Sequence, residues 1–559
     1  MKMKSVPDYA DRILEIHGPN MFNMFHVDRA IKFAEAHGLN GLIFHCNDLL
    51  DRLILPSKYF TKQVCLENWP VREATLMNNQ YYMHGVLKKC KDAGLNFFAE
   101  VKEIYYPQDI LELYPNLRKE NGAICATDPF WWEFIEEKVS EFTRRFPTAA
   151  GIVVSPGTRE SMVSFAANRC TCERCKNYNV DDWYKNLIAA MYRPLAKAGM
   201  RLVVRDFSYT ADHQFAMVEA ARSVSKDITM ALKKAPHDYY PTFPDNPAIG
   251  CCGSDMRQWV EFDTWGQYFG LGVFPCSVVE DMQGRLQRYL DKGVSGVMLR
   301  TDWEIISQGS VFNSFNILNL IAGAELSNNV NANLDMIYDR WVSEGLYSPL
   351  IHDSFAQIPC VPTAPNAKIV FKELMKRSWQ IIEKIDYIRG HVFQENVQIF
   401  DRYFMAYDMM IHFHSRDDWD PGASARVEPT DENLSVIFKE KDEGVALAES
   451  LRELVKPDEL GLTEEIKKYL NFMLDMYILY AKIMRHQAHT VCLTRRAEQT
   501  KKREDIEAAI ATLEGYDEEA TILKEYVEDK AYSNEIEWCL DGNRVLHFKD
   551  DVASVLNAI

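Results

Sequence analysis

The chain has 559 residues, of which 47% are hydrophobic and 26% charged, the balance of a folded globular protein and not of a disordered one. Its formal net charge is −18 and its isoelectric point is near 5.3. Nucleic-acid binding depends on clustered Lys and Arg, so this charge argues against a nucleic-acid partner. A neutral or weakly charged substrate fits better.

The N-terminal segment and the cysteines bear on the cellular compartment. MKMKSVPDYADRILEIHG lacks the apolar core of a secretory signal, and no later apolar run reaches the ~18 residues that a membrane span needs. The 13 cysteines are spread over the whole chain, unlike the framework of a small disulfide-rich protein. We therefore expect a cytoplasmic protein with no membrane partner, unless a signal peptide has been removed.

From about residue 20 to residue 330, short β-branched runs that end in polar residues alternate with helical stretches. This alternation is typical of βα units and predicts a parallel sheet. Seven strands can be placed, and an eighth is expected before or between the first two. The seven end near His45 and Asp48, near Glu100 and Glu103, near Glu160, near Arg205 and Asp206, near Lys233 and Asp238, at Glu261 to Gln267, and near Arg300 and Asp302.

Each of these runs is apolar first and ionisable last. Polar residues end any strand that reaches water, but seven in succession favour a shared functional edge. In a (β/α)8 barrel the C-terminal ends of the strands carry the active site. The sequence therefore predicts an α/β chain with a catalytic (β/α)8 TIM barrel over residues 1–345.

After about residue 345 the pattern changes to long segments with a helical period, such as EEIKKYLNFMLDMYILYAKIMRHQAHTVCLTRRAEQTKK. The Pro-rich stretch IPCVPTAPNAK at 358–368 lies at the junction and breaks helices. We predict an all-helical C-terminal domain over residues 346–559. Its aromatic and Met stripes are expected to form a core and not a cofactor site.

Hydrolysis of a glycosidic bond normally takes two carboxyl groups, one that protonates the leaving oxygen and one that activates water or attacks the sugar. Glu160 is the best candidate for the acid, because it follows a strand of small and β-branched residues and a Ser-Pro-Gly turn. Asp238, after ALKKAPH, is the best candidate for the base. Four side chains share one face if the following segment is extended: Glu261, Asp263, Trp265 and Gln267.

Further strand-end residues are candidates for substrate binding. Indole rings stack on sugar rings, whereas a strand-end His is at least as often structural. No HExxH, P-loop or dinucleotide fingerprint is present, so zincin, nucleotide and nicotinamide chemistry have no support and no organic cofactor is expected. The candidates are His45, Glu100, Arg300, Asp302, Trp265 and Trp303.

Five segments, in order and spacing, resemble the xylan-trimming α-glucuronidases, a family of glycoside hydrolases. ATDPFWWEFIEEKVSEFTRRFPTAAGIVVSPGTRES is similar to the family segment that leads to the catalytic acid, here Glu160. MRLVVRDFSY resembles the strand with a substrate-binding arginine, here Arg205. MALKKAPHDYYP resembles the strand with a carboxylate-binding lysine and a catalytic aspartate, here Lys233 and Asp238. WVEFDTWGQYFG and RTDWEIISQGSVFNSFNILNLIAGAELSNN resemble the next two strand regions, so the likeness covers roughly residues 25 to 345.

The chain departs from the family pattern in three ways. Gln267 stands where the family has a second base-side glutamate, and an amide cannot accept a proton as a base. The loop that carries the acid is slightly longer, and the N-terminal β-domain of the family does not precede the barrel. We therefore expect a divergent member whose substrate differs more than its fold.

The resemblance implies inverting hydrolysis of a glycoside that contains a uronic acid. Glu160 would protonate the glycosidic oxygen and Asp238 would activate water, with the two carboxyl groups ~6.5 to 9.5 Å apart, against ~5 to 5.5 Å for a retaining enzyme. Arg205 and Lys233 would hold the carboxylate of the sugar. The resemblance also implies a homodimer formed through the helical C-terminal domain.

The run Arg169-Cys-Thr-Cys-Glu-Arg-Cys175 contains a CxCxxC pattern. Closely spaced thiolates suit zinc, but Cys170, Cys172 and Cys175 need a fourth ligand and no partner CxxC follows. Structural zinc and reduced thiols both stay open from the sequence.

Two other functions compete with the main prediction. A retaining hexosaminidase-like barrel needs an Asp directly before the acid, whereas Arg159 precedes Glu160. A sugar-binding protein without activity would agree with Gln267 but not with the intact pair of Glu160 and Asp238.

Overall fold

The structure is a computed structural model and describes residues 6–119, 121–207, 211–350, 357–394, 396–410, 415–527, 530 and 532–559. Eight parallel strands close into a barrel in sequential order, so the predicted (β/α)8 barrel is confirmed. The eighth strand, which the sequence left unplaced, precedes the other seven. The strands are β1 Asp11–His17, β2 Gly41–His45, β3 Asn96–Val101, β4 Gly151–Val154, β5 Arg201–Arg205, β6 Thr229–Lys233, β7 Gln258–Asp263 and β8 Gly296–Arg300.

Helices cover the outside of the barrel. Some begin at caps that the sequence encodes, as where the side chain of Asn179 accepts from the N–H of Asp181. No α-helix lies between β6 and β7, in residues 234–257, all of which the structure describes. The helices of this part are α1 Met24–Ala36, α2 Leu49–Leu53, α3 Lys62–Asn68, α4 Pro70–Asp92, α5 Ile110–Leu113, α6 Phe130–Arg145, α7 Glu173–Lys176, α8 Val180–Lys197, α9 Ala211–Val224, α10 Val279–Asp291, α11 Ile317–Asn328 and α12 Leu334–Glu344.

The inside of the barrel changes from apolar to charged along the strands. One apolar side chain from each strand forms a separate inner cluster, namely Ile13, Ile43, Phe98, Val153, Val203, Ala231, Trp259 and Met298. Side chains two residues further along a strand point the same way. The next inner layer is therefore Glu15, His45, Glu100, Ser155, Arg205, Lys233, Glu261 and Arg300, all of them buried. This layer lies toward the C-terminal ends of the strands, where barrel enzymes place their active sites.

The described part of the C-terminal region is helical, as predicted, apart from a short antiparallel hairpin of β9 Tyr387–Ile388 and β10 His391–Val392. It packs on the loop after β7, where Tyr469 and Tyr477 donate to the carbonyls of Val273 and Pro275 at 3.0 and 3.3 Å. The domain boundary near residue 345 stays a prediction. The helices are α13 Ala367–Ile385, α14 Tyr403–Asp408, α15 Asp431–Leu454, α16 Glu464–Thr500, α17 Arg503–Ala511, α18 Tyr516–Val527, α19 Asn534–Cys539 and α20 Gly542–Ala558.

Among the described residues, no helix is both long enough and apolar enough to span a bilayer. The longest, α16, is a core helix: its Met473, Tyr477, Tyr480 and Met484 are fully buried. Its aromatic and Met side chains therefore pack inside the protein.

A buried acid in this helical region gives a pH-dependent prediction. Asp386 is fully buried, accepts one hydrogen bond from Tyr480 at 2.9 Å, and burial raises its pKa to about 7. An unfolded Asp has a pKa of ~3.9, so between these values the folded protein binds a proton that the unfolded chain does not. The stability that protonated Asp386 contributes is thus present at low pH and lost as the pH rises toward 7.

We expect Asp386→Asn, which is always neutral, to lose less stability than the wild type between pH 4.5 and 7.5, by on the order of a few kcal/mol. Urea unfolding at the two pH values measures this difference. Asp339→Asn, at an exposed helix position, is the control and should follow the wild type. Equal pH dependence in wild type and Asp386→Asn would contradict the prediction.

Candidate active site

A cavity of about 530 Å³ opens at the C-terminal end of the barrel, within the size range of small-molecule sites. Its walls come from strand ends and from the helical region, which contributes Asn396, Met405 and Asp408. A second cavity of about 580 Å³ lies outside the barrel beside α2 and α4. We take the first cavity as the candidate site because Arg205, Lys233 and Arg300 of the charged inner layer line it at the C-terminal end of the barrel.

Glu160 reaches this cavity from the loop after β4. Gly157 turns the loop with φ of +68°, and a Cβ there would lie 2.8 Å from the rings of Trp183 and Tyr184, so only glycine fits. The backbone carbonyl of Glu160 accepts from the hydroxyl of Tyr105 at 2.6 Å. The carboxylate forms an ion pair with Lys102, and the side chain is 39% exposed. The backbone is therefore fixed while the carboxylate stays accessible.

Asp238 reaches the same cavity from the loop between β6 and β7. His237 precedes it with φ of 62°, a left-handed conformation that turns the chain here. The carboxylate of Asp238 lies 2.9 Å from Nζ of Lys233. Burial lowers the pKa of Lys233, although Asp238 opposes the shift. Both candidate carboxylates are thus paired with a buried lysine.

Below the cavity, Arg205 and Glu261 form a two-pronged ion pair. Nε and Nη2 of Arg205 lie 2.7 and 2.9 Å from the two carboxylate oxygens of Glu261, and Nη2 also donates to the hydroxyl of Tyr239. Burial alone would raise the pKa of Glu261, but the charge and hydrogen bonds of Arg205 lower it to about 2. The guanidinium is therefore largely occupied by Glu261.

Glu100 lies in the same layer, 3.4 Å from Arg205, and burial raises its pKa to about 7 against the charge of Arg205. Glu100 and Glu261 are fully buried in this layer and do not line the cavity, whereas the longer side chains of Arg205, Lys233 and Arg300 from the same layer reach it. That these two acids contact substrate stays a prediction, although neither borders the cavity. Arg205 does line the cavity.

The expected shared face from Glu261 to Gln267 does not exist. β7 ends at Asp263, whose carboxylate accepts from the N–H groups of Trp265 at 3.0 Å and Gln267 at 2.7 Å. This cap turns the chain out of the strand. Trp265 is consequently 1% exposed and lies outside the cavity lining, whereas Gln267 lines it.

Of the three candidate residues at the end of β8, two line the cavity and one does not. Arg300 lines the cavity and donates to Oε1 of Gln267 at 2.9 Å. Trp303 also lines it and meets Trp538 edge to face, with ring centroids 5.6 Å apart. Asp302 does not line it, because its carboxylate accepts from the N–H of His17 at 2.6 Å. Burial raises the pKa of Asp302 to about 7, and a substrate contact by Asp302 stays a prediction.

His45 lies beside the site and does not line the main cavity. Its ring stacks on His17 with centroids 3.8 Å apart, and its Nδ1 lies 2.8 Å from Glu15. It borders a smaller neighbouring cavity of about 280 Å³. His45 is fully buried, which fits the structural role that the sequence left open.

Four ionisable residues that line the cavity were not predicted, namely His17, Lys102, Glu304 and Asp408. Lys102 directly follows β3 and lies between Glu100 and Glu103, the two residues that the sequence analysis named at this strand end. His17 lies in β1, the strand that could not be placed from the sequence. His17 Nε2 lies 2.9 Å from Glu304, and burial lowers the pKa of His17 to about 4. Asp408 comes from the helical region, where no sequence signal pointed to the barrel.

No family model matches the chain, and no curated protein matches it. Among solved structures, it is similar over 99% of its length to 84% of a chain described as a GH138 enzyme targeting pectin rhamnogalacturonan II, with 12% identity and a TM-score of 0.65. A weaker likeness links 98% of the chain to 94% of a mutant O-GlcNAc hydrolase of Thermobaculum terrenum, with 11% identity and a TM-score of 0.44. At these identities, the first likeness establishes that the chain shares the overall fold of the pectin-targeting enzyme.

Proposed function

We propose that the protein is a glycoside hydrolase that acts at the barrel cavity. The observation that carries the proposal is the meeting of two carboxylates, Glu160 and Asp238, from separate loops in one cavity, the arrangement that glycosidic hydrolysis requires. A protein of the same fold is described as an enzyme targeting pectin rhamnogalacturonan II. That description supports a sugar substrate for this chain.

In the proposed reaction, Glu160 protonates the glycosidic oxygen and Asp238 activates water on the opposite face of the sugar, with inversion of the anomeric centre. Both carboxylates are ion-paired, with Lys102 and Lys233. The carboxyl group of Glu160 has to leave Lys102 before it can contact the glycosidic oxygen. A carboxylate on the substrate would supply the competing anion for Lys102.

A uronic acid is the favoured sugar for this reason. The cavity holds Lys102, Lys233 and Arg300 in addition to Arg205. Arg205 was expected to bind the substrate carboxylate, but its donors are largely taken by Glu261. We therefore assign the carboxylate of the substrate to Lys102 first, and next to Arg300, which also lines the cavity.

A binding protein without activity is the second candidate. It is favoured by the closed ion pairs of both carboxylates and by Gln267, which donates to Asn396 at 2.9 Å and accepts from Arg300. Such a protein would bind the same anionic sugar and leave it intact.

One experiment separates the two candidates. A panel of α- and β-linked uronides, hexosaminides and neutral aryl glycosides is incubated with the protein, and products are followed by NMR to read the anomer first released. Release of a β-anomer from an α-uronide supports inversion. Calorimetric binding of uronides without turnover would favour the binding protein, and turnover of hexosaminides alone would favour the hexosaminidase-like alternative.

Lys102→Met gives a prediction on specificity. Losing a charge-assisted contact costs about 1.5 to 3 kcal/mol, so we expect kcat/KM for a uronide to fall about 10- to 100-fold more than for the matching neutral glycoside. The ratio of the two substrates cancels any general effect on Glu160. Lys58→Met, at an exposed surface ion pair, is the control. An unchanged ratio in Lys102→Met would assign the substrate carboxylate elsewhere.

A further inference from the structure

Four cysteine side chains meet outside the barrel cavity. The Sγ atom of Cys125 lies 3.7 Å from that of Cys172 and 3.5 Å from that of Cys175, and Cys170 completes a group whose four sulfur atoms all lie within 4.8 Å of one another. Cys125 precedes α6, whereas the other three surround the start of α7. The fourth thiol that the CxCxxC run lacks therefore comes from the loop after β3.

The spacing of the sulfur atoms fits a tetrahedral ion. Zinc binds thiolates at ~2.3 Å, so two ligands of a tetrahedral site are separated by 1.63 times that length, about 3.8 Å. A disulfide would require ~2.05 Å, and none of the thirteen cysteines, all within the described residues, is in one. Cys125, Cys170 and Cys175 are buried, as ligands of a structural site are.

The surroundings hold the four thiols in place. The indoles of Trp131 and Trp183 donate to the carbonyls of Cys125 and Ala126 at 3.0 and 2.8 Å. These two hydrogen bonds hold the loop that carries Cys125 in place. The Thr127 hydroxyl lies 3.3 Å from Sγ of Cys175 and can donate to a thiolate. A preset backbone and hydrogen bonds from neighbouring groups are what orient ligands in metal sites.

A nearby cation reduces the cost of gathering negative charge. Four thiolates and one Zn²⁺ carry a net charge of −2, which needs compensation where the ligands are buried. Arg174 lies between two of the cysteines in sequence, and its Nη1 is 3.4 Å from the carbonyl of Thr127. The same nitrogen lies 3.9 Å from the carboxylate of Asp128, and the side chain is 50% exposed, so the guanidinium stays beside the loop that carries Cys125.

We propose that Cys125, Cys170, Cys172 and Cys175 form a structural tetrathiolate zinc site. The site is closed by four protein ligands and leaves no position for substrate, as structural zinc sites do. It joins the loop after β3 to the loop after β4, the loop that also carries Glu160. The ion would thus anchor the segment that presents Glu160 to the cavity.

Metal analysis of the full chain, purified without chelator, tests the proposal. We expect about one zinc per chain in the wild type and at least a tenfold lower content in Cys125→Ser and Cys172→Ser. Cys251→Ser, outside the cluster, is the control and should keep its zinc. Zinc absent from the wild type even after addition of zinc and gel filtration overturns the proposal, as does zinc retained in both cluster variants.

Two further measurements cover the case in which the serine variants do not fold. Cys172→His creates a set of three Cys and one His, a common zinc site, and should keep about one zinc per chain. Replacing zinc by Co²⁺ in the wild type should give the visible bands of a tetrahedral ion and a near-ultraviolet thiolate-to-cobalt band. Absence of these bands in Co²⁺-treated protein would refute thiolate ligation.

Discussion

Glu160→Gln is expected to lower kcat on the uronide substrate by about 10³-fold, because general acid catalysis contributes roughly 10²- to 10⁴-fold. Glutamine keeps the shape of the side chain but has no acidic proton. The loss should be smaller on aryl glycosides with acidic leaving groups, since these need little protonation as they depart. Steady-state kinetics on a leaving-group series measures both effects.

Glu173→Gln is the matched control for this experiment. Glu173 is the first residue of α7, in the same connection between β4 and α8. Its side chain is 82% exposed and pairs only with Lys176 among the ion pairs found in the described part of the chain. Its kcat should equal that of the wild type. If Glu160→Gln keeps full activity on every leaving group, Glu160 is not the acid, and Glu304 or Asp408 becomes the next candidate in the cavity.

The second large effect is expected on stability. Arg205→Met should lower the free energy of unfolding by about 3 to 5 kcal/mol, because it leaves Glu261 as an uncompensated buried charge. Both side chains are at most 2% exposed, so solvent cannot take over the role of Arg205. In the wild type the pairing lowers the pKa of Glu261 to about 2. Its stabilisation is thus complete above the unfolded value of ~4.3 and lost as the pH falls toward 2.

Urea unfolding of Arg205→Met at pH 5 and pH 8 checks this prediction. The deficit should be smaller at pH 5, since an unpaired buried carboxyl takes up a proton more readily there. The double variant Arg205→Met/Glu261→Gln, which has no buried charge at this place, should regain part of the loss. Arg193→Met, which breaks a surface pair with Glu136, should cost less than about 1 kcal/mol. If Arg205→Met also lowered the free energy of unfolding by less than about 1 kcal/mol, the buried pair would contribute little to stability.

The sequence determined the fold because its signals are local. Alternation of apolar strands with amphipathic helices depends on burial on one face of each element, which is written in the order of the residues. Strands such as GLIFH and GVMLR are continuous apolar runs before a polar end, and the helical period after residue 345 is equally plain. The first strand, DRILEIH, was missed because charged residues interrupt it. Its Glu15 and His17 point into the barrel, where other charged side chains meet them.

Which of the strand-end side chains reach the cavity was decided only by the tertiary structure. Glu160, Asp238, Lys233, Gln267, Arg300 and Trp303 line the cavity, whereas Glu100, Glu261 and Asp302 lie below or beside it, although all of them follow apolar runs in the same way. Lys233 and Glu261 are register partners on neighbouring strands, so whether such a side chain reaches the cavity depends on its length and on the partner that it meets inside the closed barrel.

Contacts between residues that are far apart in sequence likewise could not be predicted from a sequence pattern. Lys102 meets Glu160 across two loops, Asn396 and Asp408 enter the cavity from the helical region, and Cys125 joins a cysteine run that begins 45 positions later. Sequence spacing reports only neighbours within one element, because helical and strand periods lose their meaning across a turn. The residue types and the barrel could therefore be read from the chain, while the pairing of charges and thiols was fixed by how the barrel closes and where the helices pack on it.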